Sequence, residues 1–511
     1  MPAGDLHDSL QLDELQVVSD LHLGGLPGFQ IFASGPELAW LADSVATSPA
    51  QGDAALLING DFIDFLAEDP PRAFDPDGAA AKIDRVLADP AFKPAFDAMA
   101  RLLATPRRRL IINLGNHDLE LALPWVRARL VGALCGEGPG SDAARSRLHL
   151  VTDGTGVRCQ VGRASVLCLH GNETDAWNVT DHERLRRLVR DRRYGLPAEP
   201  WVPNAGAQLV VEVMNQVKAA YPFVDLLKPE TQAVVPILSA LNPALLRRMQ
   251  ELGAVAARTA ADLVRLRTGF LGADELADEP GAPGGSGAAP AWQAAAPGAS
   301  AAALMAQAEQ AFAAGTTPIS LVRASQAEQL GVWTAAWDWL RGQPRHEVLR
   351  EALEFLDKDQ SFEPGAPDDT FKQFDARVAP EIDLLLTGHT HLARSLPRQR
   401  GAGHYFNSGT WARLMRIAPE VRRDKARFKQ LFDLLGQARM ADLDRAPGLV
   451  LRQNTVVAIW ADAQGATQAE LRQVQADVKA DVKAGVKAGV KTDVKAAFSA
   501  VPQAGTRCTV P

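Results

Sequence analysis

The sequence predicts a layered α/β fold, on three observations. Short Val/Ile/Leu-rich runs recur and end abruptly in polar clusters, the pattern of buried strands bounded by turns. Helical patterns lie between some of them, as at Ala81 to Ala88 and Phe96 to Ala104. Each polar cluster puts metal-ligand or acid–base side chains directly after the end of an expected strand, where α/β sheets usually carry their sites.

In chain order, Leu15 to Ser19 runs into Asp20-Leu-His22, and Ala54 to Ile58 into Asn59-Gly-Asp61. Leu110 to Leu114 runs into Gly115-Asn-His-Asp118, and Val166 to Leu169 into His170-Gly-Asn172. Ile382 to Leu386 runs into Thr387-Gly-His-Thr-His391. One such coincidence means little; five in one chain are hard to attribute to packing.

Residues 176 to about 380 break this rhythm. They read as a mostly helical insertion, a cap domain that leaves and rejoins the sheet near the site. A Gly/Pro/Ala/Ser-rich stretch at about 272–300 reads as a flexible linker. The expected organisation is therefore a core in two parts, 1–175 and 381–465, around the cap at 176–380. Residues 466–511 are expected to be a low-complexity tail, because valines recur every four residues at 478, 482, 486, 490 and 494.

Composition narrows the function. The chain has 511 residues, 47% of them apolar and 23% charged, which suits several packed domains. Lys plus Arg is 54 against 61 for Asp plus Glu, a net charge of −7. That balance argues against a nucleic-acid partner, which needs a broad basic surface. Four cysteines, Cys135, Cys159, Cys168 and Cys508, form neither a disulfide framework nor a thiolate zinc site. Met1 to Glu14 is polar and does not read as a signal sequence, so a reducing, cytoplasmic location is expected. No run of about 20 apolar residues predicts a transmembrane segment, which leaves peripheral membrane contact open. The sequence sets no oligomeric state.

Seven residues in the clusters are candidate metal ligands: Asp20, His22, Asp61, Asn116, His170, His389 and His391. Carboxylate, amide and imidazole without thiolate suit Mn, Fe, Zn or Co. Seven ligands exceed one tetrahedral ion and suit two divalent metals about 3.5–4 Å apart, with Asp61 bridging. Asp20/His22 and His389/His391 are two residues apart, so in extended chain both members face one ion.

The ordered set Asp-x-His, Gly-Asp-x-x-Asp, Gly-Asn-His-Asp, His-Gly and Gly-His-Thr-His resembles the calcineurin-like metallophosphoesterase superfamily. It stands here at Asp20/His22, Gly60-Asp61 to Asp64, Gly115 to Asp118, His170-Gly171 and Gly388 to His391, and covers about half the chain. The resemblance implies a β-sandwich flanked by helices, with a dinuclear metal centre at the strand ends. It implies Asp20, His22, Asp61 and His391 at one metal, and Asp61, Asn116, His170 and His389 at the other. It gives His117 a catalytic place near the leaving-group oxygen, with Asp118 orienting it and Asp64 supporting the ligands. Ser19-Asp-Leu-His-Leu23 is also similar, more distantly, to bacterial UDP-diacylglucosamine pyrophosphatases. The chain departs from those in His117, where they usually carry arginine, and in its longer insertion, so their substrate is not carried across.

The expected activity is metal-dependent hydrolysis of a phosphate ester or pyrophosphate by a metal-bridging hydroxide, with Mn the leading metal. The expected substrate is a small-molecule or lipid-linked phosphorylated compound. A protein phosphatase, a nuclease or a non-catalytic metal-binding scaffold are the alternatives.

Other residues read two ways. Arg187 and Arg190, in the basic run Arg184 to Arg193, are candidate substrate-phosphate ligands or parts of a solvated helix face. Glu173, Asp175 and Asn178 contact either metal-bound water or substrate, or only their own loop. Asn407 to Thr410 is either a pocket floor or a simple turn.

Overall fold

A computed structural model of the chain describes residues 10–138, 140–228, 230–242, 344–353, 361–476 and 498–510. The strands are β1 (Gln11–Leu12), β2 (Glu14–Val18), β3 (Ala54–Asn59), β4 (Arg108–Asn113), β5 (Leu148–Val151), β6 (Val157–Val161), β7 (Ala164–Cys168) and β8 (Leu384–Thr387). They continue with β9 (Arg394–Pro397), β10 (His404–Asn407), β11 (Leu414–Met415), β12 (Val450–Leu451), β13 (Thr455–Ala461), β14 (Thr467–Ala476), β15 (Phe498–Pro502) and β16 (Cys508–Val510).

Two large sheets result. One runs β15-β14-β13-β2-β3-β4-β5, parallel from β2 to β5 and antiparallel beyond β2, with β16 also on β14. The other runs β1-β6-β7-β8-β10-β9. The strand runs are apolar on both faces because both faces are covered. Leu15, Val17, Leu57 and Ile111 of the first sheet meet Val166, Leu386 and Phe406 of the second in a shared core. The alternate residues Val18, Leu56, Ile58 and Ile112 face outward into a second core. That core is closed by helices α1 (Gly35–Ala46), α2 (Ala79–Ala88), α3 (Lys93–Ala104) and α4 (Pro124–Cys135). In α3, Phe96, Met99 and Leu103 recur at helical spacing on the buried side, and Pro94 occupies the first turn, where its missing N–H costs nothing. Outside the second sheet, Phe371 and Phe374 of the helix Asp369–Arg377 cover Leu385 and Tyr405. The fold is thus mixed α/β, with both sheets flanked by helices.

Within 176–380 the described residues include the helices His182–Tyr194, Asn215–Ala220, Glu230–Leu241, Arg345–Ala352 and Asp369–Arg377. Val213, Val217, Phe223 and Leu226 pack with Phe428 and Leu431 of the later helix Lys425–Gln437. The linker reading at 272–300 and the valine repeat at 478–494 lie outside the described residues.

The expected tail boundary at 466 is corrected. Residues 467–476 form β14, bonded to β13 along its length, and β15 and β16 pair back onto it. Ala469, Leu471 and Val474 are buried in the cores. Their apolar pattern is interrupted by Gln468, Glu470, Arg472 and Gln473, so it does not stand out beside the valine repeat that follows.

Candidate metal centre

The seven candidate ligands converge. Asp20 and His22 follow β2, Asp61 follows β3, Asn116 follows β4, His170 follows β7, and His389 and His391 follow β8. A 540 Å³ cavity is lined by His22, Asp61, Asn116, His389 and His391, with Asp20 and His170 fully buried behind them. Ligand atoms of Asp20, His22 and His391 lie within 4.8 Å of one another, as do those of Asp61, His170 and His389. A third such group, His22, Asp61 and His117, overlaps both.

The backbone itself marks these positions. Eight described non-glycine residues have positive φ, and five are Asp20 (53°), His22 (50°), Asp61 (52°), His389 (68°) and His391 (63°). Left-handed backbone costs an L-residue on the order of 1 kcal/mol, and such strain gathers where the surrounding structure holds it for function. Glycines let the segments close up. A Cβ on Gly60, itself at φ +88°, would stand 2.2 Å from His170 Nδ1. One on Gly388 would stand 2.6 Å from Asp20 Oδ2.

The atoms that meet are ligand-type oxygens and nitrogens. His170 Nδ1 is 2.8 Å from the Asn59 carbonyl. A carbonyl can only accept, so Nδ1 carries a proton and Nε2 is the nitrogen turned toward the other candidate ligands. That Nε2 lies 3.3 Å from Asp61 Oδ2 and has no hydrogen-bond donor, and buried Asn116 Oδ1 likewise has none. His22 Nε2 is 3.0 Å from His391 Nε2, and His391 Nε2 is 3.5 Å from Asp20 Oδ1. Burial opposes charge on His170, yet Asp61 and Asp20 outweigh it and raise its pKa to about 10. So negative a field holds protons on the His170 imidazole, and a metal ion could supply that positive charge in their place. These buried His and Asp groups could hold metal ions, and the oxygen/nitrogen set suits divalent transition metals.

The role expected of Asp118 is corrected. Asp118 accepts backbone N–H bonds from Phe62 (2.8 Å) and Gly115 (2.6 Å), which fix the loop that carries Asn116 and His117. Burial pushes its pKa up to about 7. The carboxylate on His117 is Asp64, whose Oδ1 is 3.0 Å from Nδ1; its Oδ2 is 3.4 Å from His22 Nδ1. Burial alone would lower the pKa of His117, but Asp64 and Asp61 raise it to about 9.

Asp175 is held in its own loop and also reaches one of the candidate ligands. Its Oδ2 is 2.9 Å from His389 Nε2, and its carboxylate also accepts from Trp177 N and Asn178 Nδ2. Glu173 accepts from the backbone N–H groups of His170 and Gly171. Asn407 to Thr410 is a buried clamp rather than a simple turn. Asn407 Nδ2 donates to the Gly388 carbonyl (2.7 Å), Ser408 Oγ to Ser19 Oγ (2.7 Å), and Thr410 Oγ1 to the Asp20 carbonyl (2.7 Å).

Sequence reasoning missed the cavity's other wall. Lys218, Asp225, Lys228, Thr370 and Gln373, all between 176 and 380, line the same cavity as the ligands. They are far from any motif, and only the folded chain brings them there. Arg187 and Arg190 lie outside the cavity lining. They are more than half exposed and stand near Glu183 (4.0 Å) and Asp191 (2.7 Å). Among the described residues, no helix is long and apolar enough to cross a membrane. In comparisons with known proteins, no family model and no curated protein matches the chain.

Proposed function

We propose that the chain is a metal-dependent phosphoesterase of calcineurin-like metallophosphoesterase type, with two divalent cations, Mn foremost, and the stretch 176–380 as its cap. One observation carries the reading: ligand-type side chains from five strand ends meet with their ligand atoms close together, on backbone strained at five of those residues. Asp20, His22 and His391 would hold one ion, Asn116, His170 and His389 the other, and Asp61 would lie between. When bound, such a pair supplies positive charge against a phosphoryl group and a nucleophile at neutral pH.

The chain's own residues do the rest. His117 lines the cavity with Nδ1 held by Asp64, which leaves Nε2 as the nitrogen that hands a proton to the departing oxygen. Asp118 holds that loop in place through Gly115 and Phe62. Residues of the 176–380 stretch wall the cavity, which favours a small phosphorylated compound over a polymer. The test is elemental analysis of the purified protein together with turnover of aryl phosphate mono- and diesters and a panel of phosphorylated metabolites, with Mn, Fe, Zn or Co. About two metals per chain and metal-dependent release of phosphate or alcohol are expected. Two metals with no turnover on any substrate would instead indicate a binding scaffold.

A further inference from the structure

A second chamber lies beside the metal cavity. It has a volume of 220 Å³, and its walls include Leu26, Phe29, Ala67, Ala219 and Pro222. It shares Ile31, Asp64, Lys218 and Asp225 with the metal cavity, so the two adjoin. Lys218 and Asp225 form an ion pair of 2.5 Å at this junction. Leu26 and Phe29 are 59% and 44% exposed, two of the few large apolar side chains left so open among the described residues. Both lie on the loop after β2 that also carries Asp20 and His22. Apolar surface held in water beside a polar reaction site marks a place for an apolar ligand group.

Resting on the phosphoesterase reading, we infer that the substrate is an amphiphilic phosphate ester. Its phosphoryl group lies among the metal-site residues, and its apolar alcohol portion fills the chamber between Leu26, Phe29, Ala219 and Pro222. The Lys218 ammonium stands where the two parts join and faces the phosphoryl oxygens that do not react. A chamber of 220 Å³ holds about seven water-sized groups, which fits an aromatic ring or a chain of roughly six carbons. The chamber's apolar walls, set against the metal cavity across four shared residues, select this occupant.

The experiment measures binding of methyl-, propyl-, hexyl- and benzylphosphonate to the Mn-loaded full chain by calorimetry. Each methylene moved from water to an apolar site is worth about a fourfold gain in affinity when fully buried. Hexylphosphonate, with five more methylenes, should therefore bind up to about a thousandfold more tightly than methylphosphonate. Ala219→Trp, at an exposed position of a short helix, fills the chamber and should cut that ratio at least tenfold; Phe29→Ser should reduce it as well. Metal-dependent methylphosphonate binding with no gain along the series overturns the chamber assignment and leaves the phosphoesterase reading standing. A gain that survives both substitutions places the apolar site elsewhere and also overturns it. No metal-dependent phosphonate binding at all overturns the phosphoesterase reading, and this inference with it.

Discussion

The Nε2 atoms of His22 and His391 face each other at 3.0 Å, across 369 residues of chain. Two nitrogens that each stand about 2.1 Å from one ion, at right angles, are separated by about this distance. Asp20 Oδ1, 3.5 Å from His391 Nε2, would supply a third ligand. His391→Ala should therefore remove one metal per chain, and Asn116→Ala should remove one from the other cluster. Elemental analysis reads both directly. A chelator should also lower the Tm of the wild-type chain, and Mn should restore it, since a metal at a hundred times its Kd contributes about 2.7 kcal/mol. Unchanged stoichiometry in either variant rejects that ligand assignment.

Asp64 and Asp118 should separate kinetically and thermodynamically. Asp64 touches the imidazoles of His117 and His22, so Asp64→Asn disturbs their orientation and should cut turnover about 10–100-fold. Asp118→Ala strands the buried N–H groups of Gly115 and Phe62, each at a cost of about 1–3 kcal/mol. It should be seen first as a lower Tm. A variant pair with the reverse pattern would return the orienting role to Asp118.

Asp175 bonds His389 Nε2 from outside the ligand cluster and is itself held by Trp177 N and Asn178 Nδ2. Such a partner fixes ring orientation and strengthens the ligand. Asp175→Asn should weaken metal binding about 10–100-fold, measured by competition with a chromogenic chelator. Asp175→Glu should recover part of the loss if reach to the ring is what matters. Equal affinity in wild type and Asp175→Asn would reduce the residue to a loop staple.

The strand ends were legible because each couples a two-sided apolar run to a ligand-type residue, and burial on both faces of β2, β3, β4 and β8 explains why those runs hardly alternate. The support around them was not. Asp64 and Asp118 are both aspartates beside the motifs, and only the fold shows which reaches the His117 ring. Lys218 and Asp225 reach the cavity through packing of Val217 and Leu226 against a helix some two hundred residues later, which leaves no local pattern. Strand β14 was hidden for another reason: Gln468 and Glu470 are polar yet largely buried, so the segment fails the apolar criterion that found the central strands.

Away from the metal site, Glu120 lies in a buried cluster with Asp75 and Lys82. Its Oε1 accepts the Asp75 N–H at 3.0 Å, and Lys82 Nζ is 3.4 Å from Asp75 Oδ2. Burial pushes the Glu120 carboxyl from its ordinary 4.5 up to about 8, although the Asp75 N–H and Lys82 oppose this. The folded chain then binds more protons than the unfolded chain between those two values, so this group removes stability as pH rises from about 4.5 to 8. Glu120→Gln keeps the shape and the acceptor but cannot ionise. Its Tm should fall less than that of wild type over this range, and it should be the more stable protein at pH 8.5. Parallel Tm profiles for the two proteins across pH 5 to 8.5 would show that Glu120 is already ionised in the folded chain, with Lys82 supplying the compensation.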